Sequence, residues 1–175
     1  MRTSYSEFIQ RHLTRGIVLL CLCYLYAQIR TLSATAALPL LGPTAAFVGA
    51  ITNISFRFDP GLGFVADSDG FIITPACAGI RFFVIALSLC LLGSWPHRLN
   101  VKNLCGFIVI TFTTTIIANS ARILSLCMIE KAGSNLHLRP SWIHEGCGVF
   151  IYISMLFLLS LFIRALYDRT NHHDA

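Results

Sequence analysis

The chain has 175 residues, of which 55% are apolar and 12% charged, with a net charge of +5 and a mean hydropathy of +0.71. Soluble domains carry roughly 25% charged residues, so this composition excludes a cytosolic globule, a disordered tail and a basic nucleic-acid binder. The remaining class is an all-α polytopic membrane protein of four to five transmembrane helices. Residues 1–175 then form a single membrane domain, because five helices of about 20 residues each use most of the chain.

In chain order, the first apolar run starts at Gly16, reaches Ile29 and is expected to continue past Arg30 to Leu38, giving a first span over 16–38. No small-x-small cleavage site ends it cleanly, so it reads as a retained membrane helix rather than a signal peptide. Pro39, Gly42, Pro43 and Gly49 interrupt the next uncharged stretch. This predicts a break, then a short surface-lying helix through Asn53, within an outer-face segment 39–74. Ile54, Phe56 and Phe58 alternate with Ser55 and Arg57, and Asp59-Pro60-Gly61 and Asp67-Ser68-Asp69-Gly70 are turn signals. They predict a small extracytoplasmic β-type meander over 54–74, with an irregular polar cap as the alternative. Three further spans are expected at 75–95, 103–129 and 144–165. A fifth membrane segment at 31–56 would invert the side on which Asp59–Asp69 lie.

Four spans place both termini on one side, and the Lys/Arg bias of short loops selects that side. Arg2, Arg11 and Arg15 precede the first span, Arg98 and Lys102 separate the second and third, and Arg164 and Arg169 follow the last. These segments are expected to be cytoplasmic. Arg30, Arg57, Lys131 and Arg139 on the other side are offset by Asp59, Asp67, Asp69, Glu130 and Glu145.

Seven cysteines are an odd count, and Cys21, Cys23, Cys90, Cys105 and Cys127 lie inside apolar runs, where free cysteine acts as a small hydrophobe. Cys77 is different. It lies in Thr74-Pro75-Ala76-Cys77-Ala78-Gly79-Ile80, where Thr74 fits an N-cap and Pro75 a first helical residue. The positive end of the helix dipole would favour a thiolate in that first turn. Arg81, four residues on, would add to the effect, and Gly79 allows close approach. A reactive thiol and a buried structural cysteine both remain open on chemistry alone.

Arg122 interrupts an apolar helix, at roughly 2.5–3.5 kcal/mol on insertion scales. It should face a polar cavity or a partner, or snorkel outward. Asn119, three residues earlier, shares its face. His144 and Glu145 open the last span. The metalloprotease pattern HExxH would need histidine at 148, which is Gly148, so that reading fails. His137 is a weaker rival in the loop, and His172-His173 reads as a solvated end. No metal or cofactor is expected. Cys77, Arg122 and His144 each stand about one membrane thickness, ~27–30 Å, from the cytoplasmic end of their own span. Together they suggest covalent acyl transfer, with a thiolate nucleophile, a guanidinium for the oxyanion and an imidazole for the leaving amine.

The segments Pro75-Ala76-Cys77-Ala78-Gly79-Ile80 and Asn119-Ser120-Ala121-Arg122, with His144 at the start of the last helix, resemble the boxes of exosortases and archaeosortases. The resemblance covers about 44–152, and the short length and box wording look most similar to the exosortase K subgroup. It implies a membrane cysteine protease or transpeptidase of the bacterial cytoplasmic membrane, acting at its outer face. Its partners would be membrane-anchored proteins with a C-terminal sorting tail: a short motif, an apolar helix and a basic cluster. Cys77 would be the nucleophile, Arg122 the oxyanion or orienting residue and His144 the acid/base, with Asn119, Arg81, Gly79 and Glu145 supporting. The meander is expected to receive the recognition motif by strand addition. Two other classes stay open: a thiol-disulfide oxidoreductase using the Cys21/Cys23 pair, and a non-enzymatic membrane subunit.

Overall fold

A computed structural model of the chain describes residues 2–29, 33–67, 71–94, 101–133 and 141–173; the side chains of 2–12, 14, 130–133, 141–145 and 167–173 fall outside that description. Among the described residues, five helices and one small sheet run in order: α1 (Arg2–Gln28), α2 (Ala34–Thr52), β1 (Phe56–Asp59), β2 (Gly63–Ala66), β3 (Ile72–Ile73), a 3₁₀ turn (Pro75–Cys77), α3 (Ile80–Gly93), α4 (Val101–Gly133) and α5 (Ser141–His173). Four segments of the described residues are long and apolar enough to cross a membrane: Ala34–Thr52, Pro75–Gly93, Val101–Ile129 and Gly146–Leu166. Arg15–Gln28 is a shorter apolar helix. The chain is a multi-pass, mostly helical membrane protein with a small sheet.

The N-terminal third departs from the expected boundaries. Helix α1 stops at Gln28 instead of running on to Leu38, and 34–52 is one continuous helix rather than the outer end of the first span, a break and a short surface-lying helix. Ser33 caps α2 by accepting from the Ala36 N–H at 3.3 Å. Pro39 and Pro43 both sit inside α2. Each removes one backbone donor. The carbonyls left free are those four residues back, Thr35 and Pro39, and in an apolar setting no water competes for them, so packing holds the helix. Thr44 Oγ1 donates to the Leu40 carbonyl at 2.8 Å. Asn53, at φ 56°, ends the helix in the left-handed region that asparagine tolerates.

The meander forms as a three-stranded antiparallel sheet in the order β1-β2-β3, with Phe56 opposite Ala66 and Phe64 opposite Ile73. Asp59 Oδ1 accepts from the N–H groups of Gly61 and Leu62 at 2.7 and 3.0 Å, which closes the first turn. The second turn signal, at 68–70, lies outside the described residues. α2 packs against both β1 and β2 and against α4. Gly49 admits that approach, because a Cβ there would lie 2.8 Å from the Ile54 carbonyl oxygen.

Helix α3 sits at the centre of the core, with Phe82, Val84, Ala86, Leu87, Cys90 and Leu91 all buried. Its far end is held by Arg15, a fully buried guanidinium whose Nη2 donates to the Ser94 carbonyl at 2.9 Å. A cation on the last carbonyls of a helix satisfies orphan acceptors and complements the dipole. That contact fixes one point of the packing of α1 against α3. From Arg15 to Ile29 is about 21 Å of helix, as is Ser94 back to Ile80. Ile29 and Ile80 accordingly line the same cavity. Arg15, expected from sequence as one more charge ahead of the first span, is a buried cap.

Candidate active site

The site is built where the sheet hands the chain to α3. Cys77 ends the 3₁₀ turn Pro75–Cys77, and its N–H donates to the Thr74 carbonyl at 2.8 Å. Gly79 then adopts φ +71°, and α3 starts only at Ile80. Cys77 is therefore not in the first turn of α3, and its N–H is not an orphan donor. The physical reason is Gly79: its left-handed conformation breaks the helix before Cys77 can join it. The expected one-turn helical relation between Cys77 and Arg81 is lost with it. Thr74 occupies the N-cap position without capping. Its hydroxyl points instead to Cys77 Sγ at 3.7 Å.

Gly79 also lets α4 come close. A Cβ on Gly79 would lie 3.1 Å from Thr115 Cγ2 and 3.3 Å from Asn119 Cβ and Cγ. Across this contact Asn119, fully buried, donates from Nδ2 to the Cys77 carbonyl. Asn119 Oδ1 accepts from the Tyr152 hydroxyl of α5 at 2.9 Å. Arg122, one turn along α4, reaches the same hydroxyl with Nη1 at 3.5 Å, and its Cζ lies 5.6 Å from the centre of the Tyr152 ring. The ring in turn packs on Phe82 of α3, with centroids 4.9 Å apart. Arg122 crosses α5 at Gly148, where a Cβ would lie only 2.7 Å from its Nε. That Nε is buried and has no hydrogen-bond partner among the described residues.

These elements enclose a partly open cavity of about 820 Å³. Pro75, Ala76, Gly79, Arg81, Arg122 and Tyr152 are among its lining residues. Cys77 is half-buried and directly follows the lining residues Pro75 and Ala76 in the chain. Among the described residues, the lining carries two guanidinium groups and no carboxylate. Such a pocket favours negative charge developing on a bound group.

Of the residues expected from sequence, Cys77, Asn119 and Arg122 converge, and Gly79 and Arg81 border the same cavity. His144 stands one turn ahead of Gly148 in α5, but the side chains of His144 and Glu145 lie outside the described residues, as does His137 entirely. Sequence reasoning passed over Tyr152. Its signal was its depth: a tyrosine six residues inside the apolar run from Gly146 needs a partner for its hydroxyl. Gly148 thins α5, and the neighbour it admits is the Arg122 side chain rather than a helix backbone. Among the described residues no cluster of three His, Cys, Asp or Glu is arranged for a metal ion.

A family model described as transmembrane exosortase matches residues 8–161. No curated protein and no solved structure matches the chain.

Proposed function

This chain belongs to the transmembrane exosortase family, and on that premise we propose that it cleaves C-terminal sorting tails through a Cys77 acyl-enzyme. Membership supports a membrane-embedded protease or transpeptidase of the sorting type. The observation that carries the finer reading is the convergence of the Cys77 turn and Arg122 on one cavity through Asn119 and Tyr152.

In this mechanism His144 takes the Cys77 thiol proton, and the sulfur attacks the scissile carbonyl carbon. The oxygen that gains charge lies against the Arg122 guanidinium, with Arg81 adding positive potential. Collapse breaks the C–N bond, and the leaving amine takes the proton from His144. A thioester to Cys77 remains until water or an amine attacks it, which releases the thiol. The substrate's own apolar helix would lie in the bilayer with its scissile bond at the level of Cys77.

The site is proposed to face away from the cytoplasm. Arg15 and Lys102 mark the Ser94 end of the bundle, and Arg164 lies about 24 Å along α5 from Gly148. Basic residues at that end favour the cytoplasmic side. The sheet and the Cys77 cavity are at the other end, and the meander's edge is proposed to take up the recognition motif.

The test is processing of an exported protein that ends in a short motif, an apolar helix and a basic cluster, followed in cells by its shift in mass. Cys77→Ala and His144→Ala are expected to abolish cleavage. Undiminished cleavage in Cys77→Ala would remove the acyl-enzyme reading.

A further inference from the structure

We propose that Tyr152 is a positioning residue that locks the Cys77 turn to Arg122 through a one-way chain of hydrogen bonds. The direction comes from donor counting. A guanidinium can only donate, so Arg122 Nη1 engages a lone pair of the Tyr152 oxygen. The hydroxyl has a single proton, and it goes to Asn119 Oδ1 at 2.9 Å. With Oδ1 occupied as an acceptor, the Asn119 amide presents its NH₂ to the Cys77 carbonyl. An asparagine amide is otherwise nearly symmetric between its two orientations. The acceptor-only Cys77 carbonyl favours the orientation that holds it, and Tyr152 reinforces that orientation.

Two helices, α4 and α5, and the 3₁₀ turn supply this chain, and the Tyr152 ring adds α3 through Phe82, so the elements are registered at a single point. Asn119 and Arg122 are three apart on α4 and share a face. Tyr152 and Gly148 are one turn apart on α5, and the bare Gly148 backbone lets the guanidinium lie over the Tyr152 ring. The ring rests on Phe82 of α3. The hydroxyl and the ring have separable jobs. The ring packs, and the hydroxyl fixes the distance between the guanidinium and the sulfur-bearing turn.

The role of this lock in catalysis rests on the peptidase reading of Cys77, but its test does not need a substrate. The full-length chain in membranes is alkylated with N-ethylmaleimide, and the rates at Cys77 and Cys90 are read from peptide masses. Cys77 is half-buried and Cys90 is fully buried in α3, so Cys90 reports loss of the fold. Tyr152→Phe keeps the ring and removes the hydroxyl. It is expected to raise the Cys77 rate about 3–10-fold while Cys90 stays protected. Asn119→Asp keeps an acceptor for Tyr152 but loses the donor to Cys77, and it should give a similar rise. Groups acting in one network are non-additive, so the double variant should exceed neither single by more than about twofold. An unchanged Cys77 rate in either single variant, a multiplicative double, or a parallel rise at Cys90 would overturn the proposal. Intact processing in Cys77→Ala would defeat the peptidase reading alone and leave these rates to decide the positioning role.

Discussion

A methyl group added at position 148 would meet Arg122 Nε at 2.7 Å and Cδ at 3.1 Å, whereas one at Gly146 would meet nothing within 4 Å among the described residues. Gly148→Ala must therefore displace the guanidinium, and displacement of about 1 Å can cost around a hundredfold in rate. We expect processing to fall about 10–100-fold in Gly148→Ala and to stay near the parent in Gly146→Ala; equal activity in the two would argue against a role for Arg122 geometry. Arg122→Lys should fail more completely, because lysine lacks the planar fork that spans Tyr152 and the cavity. Restoration of processing by lysine would show that charge alone suffices. At this scale the sequence was informative wherever chemistry is local. Cys77 beside Pro75 and Gly79, and Asn119 three residues before Arg122, are short patterns with a stated reason for each residue. Tyr152 was not legible in that way. Its partners lie on α4, 30 and 33 residues away in sequence, and a tyrosine in an aromatic-rich apolar helix carries no local mark of them.

The helices themselves were readable from uncharged runs, but their ends were not. Pro39 and Pro43 signal a break in a water-exposed helix, where solvent takes up the freed carbonyl. In α2 they lie within an Ala- and Leu-rich helix whose Ala37, Leu41, Thr44, Ala45 and Val48 are buried, and packing overrides the local preference. The packing of α1 on α3 was equally hidden, because it includes a buried contact between residues 79 apart in sequence. Arg15 donates to the carbonyl that ends α3. Arg15→Met keeps the apolar stem but leaves that carbonyl short of its partner, an expected cost of ~1–3 kcal/mol. Thermal unfolding in detergent should show a lowered midpoint; an unchanged midpoint would mean that Arg15 does not hold the α3 end. Ser33→Ala removes the α2 cap and should cost ~1 kcal/mol, also read as a midpoint shift.

For the whole molecule, the Arg15–Ser94 contact and the start of α4 at Lys102 lie at the end of the bundle away from the sheet and the cavity. Lys102 stands exposed at the start of α4, and Arg57 is exposed on β1 beside the sheet turn. A cysteine placed at Lys102 should react with a membrane-impermeant maleimide only after the cytoplasmic side is opened. One placed at Arg57 should react in intact cells. Reversed labelling would turn the site toward the cytoplasm and end the sorting reading. The most direct measurement is the mass of the full-length chain, quenched in acid during turnover with a tail-bearing substrate. A thioester adduct equal to the substrate's N-terminal portion, mapped to Cys77 and lost on treatment with hydroxylamine, is the predicted result. Turnover with no adduct in the parent, together with full cleavage by Cys77→Ser, would contradict it.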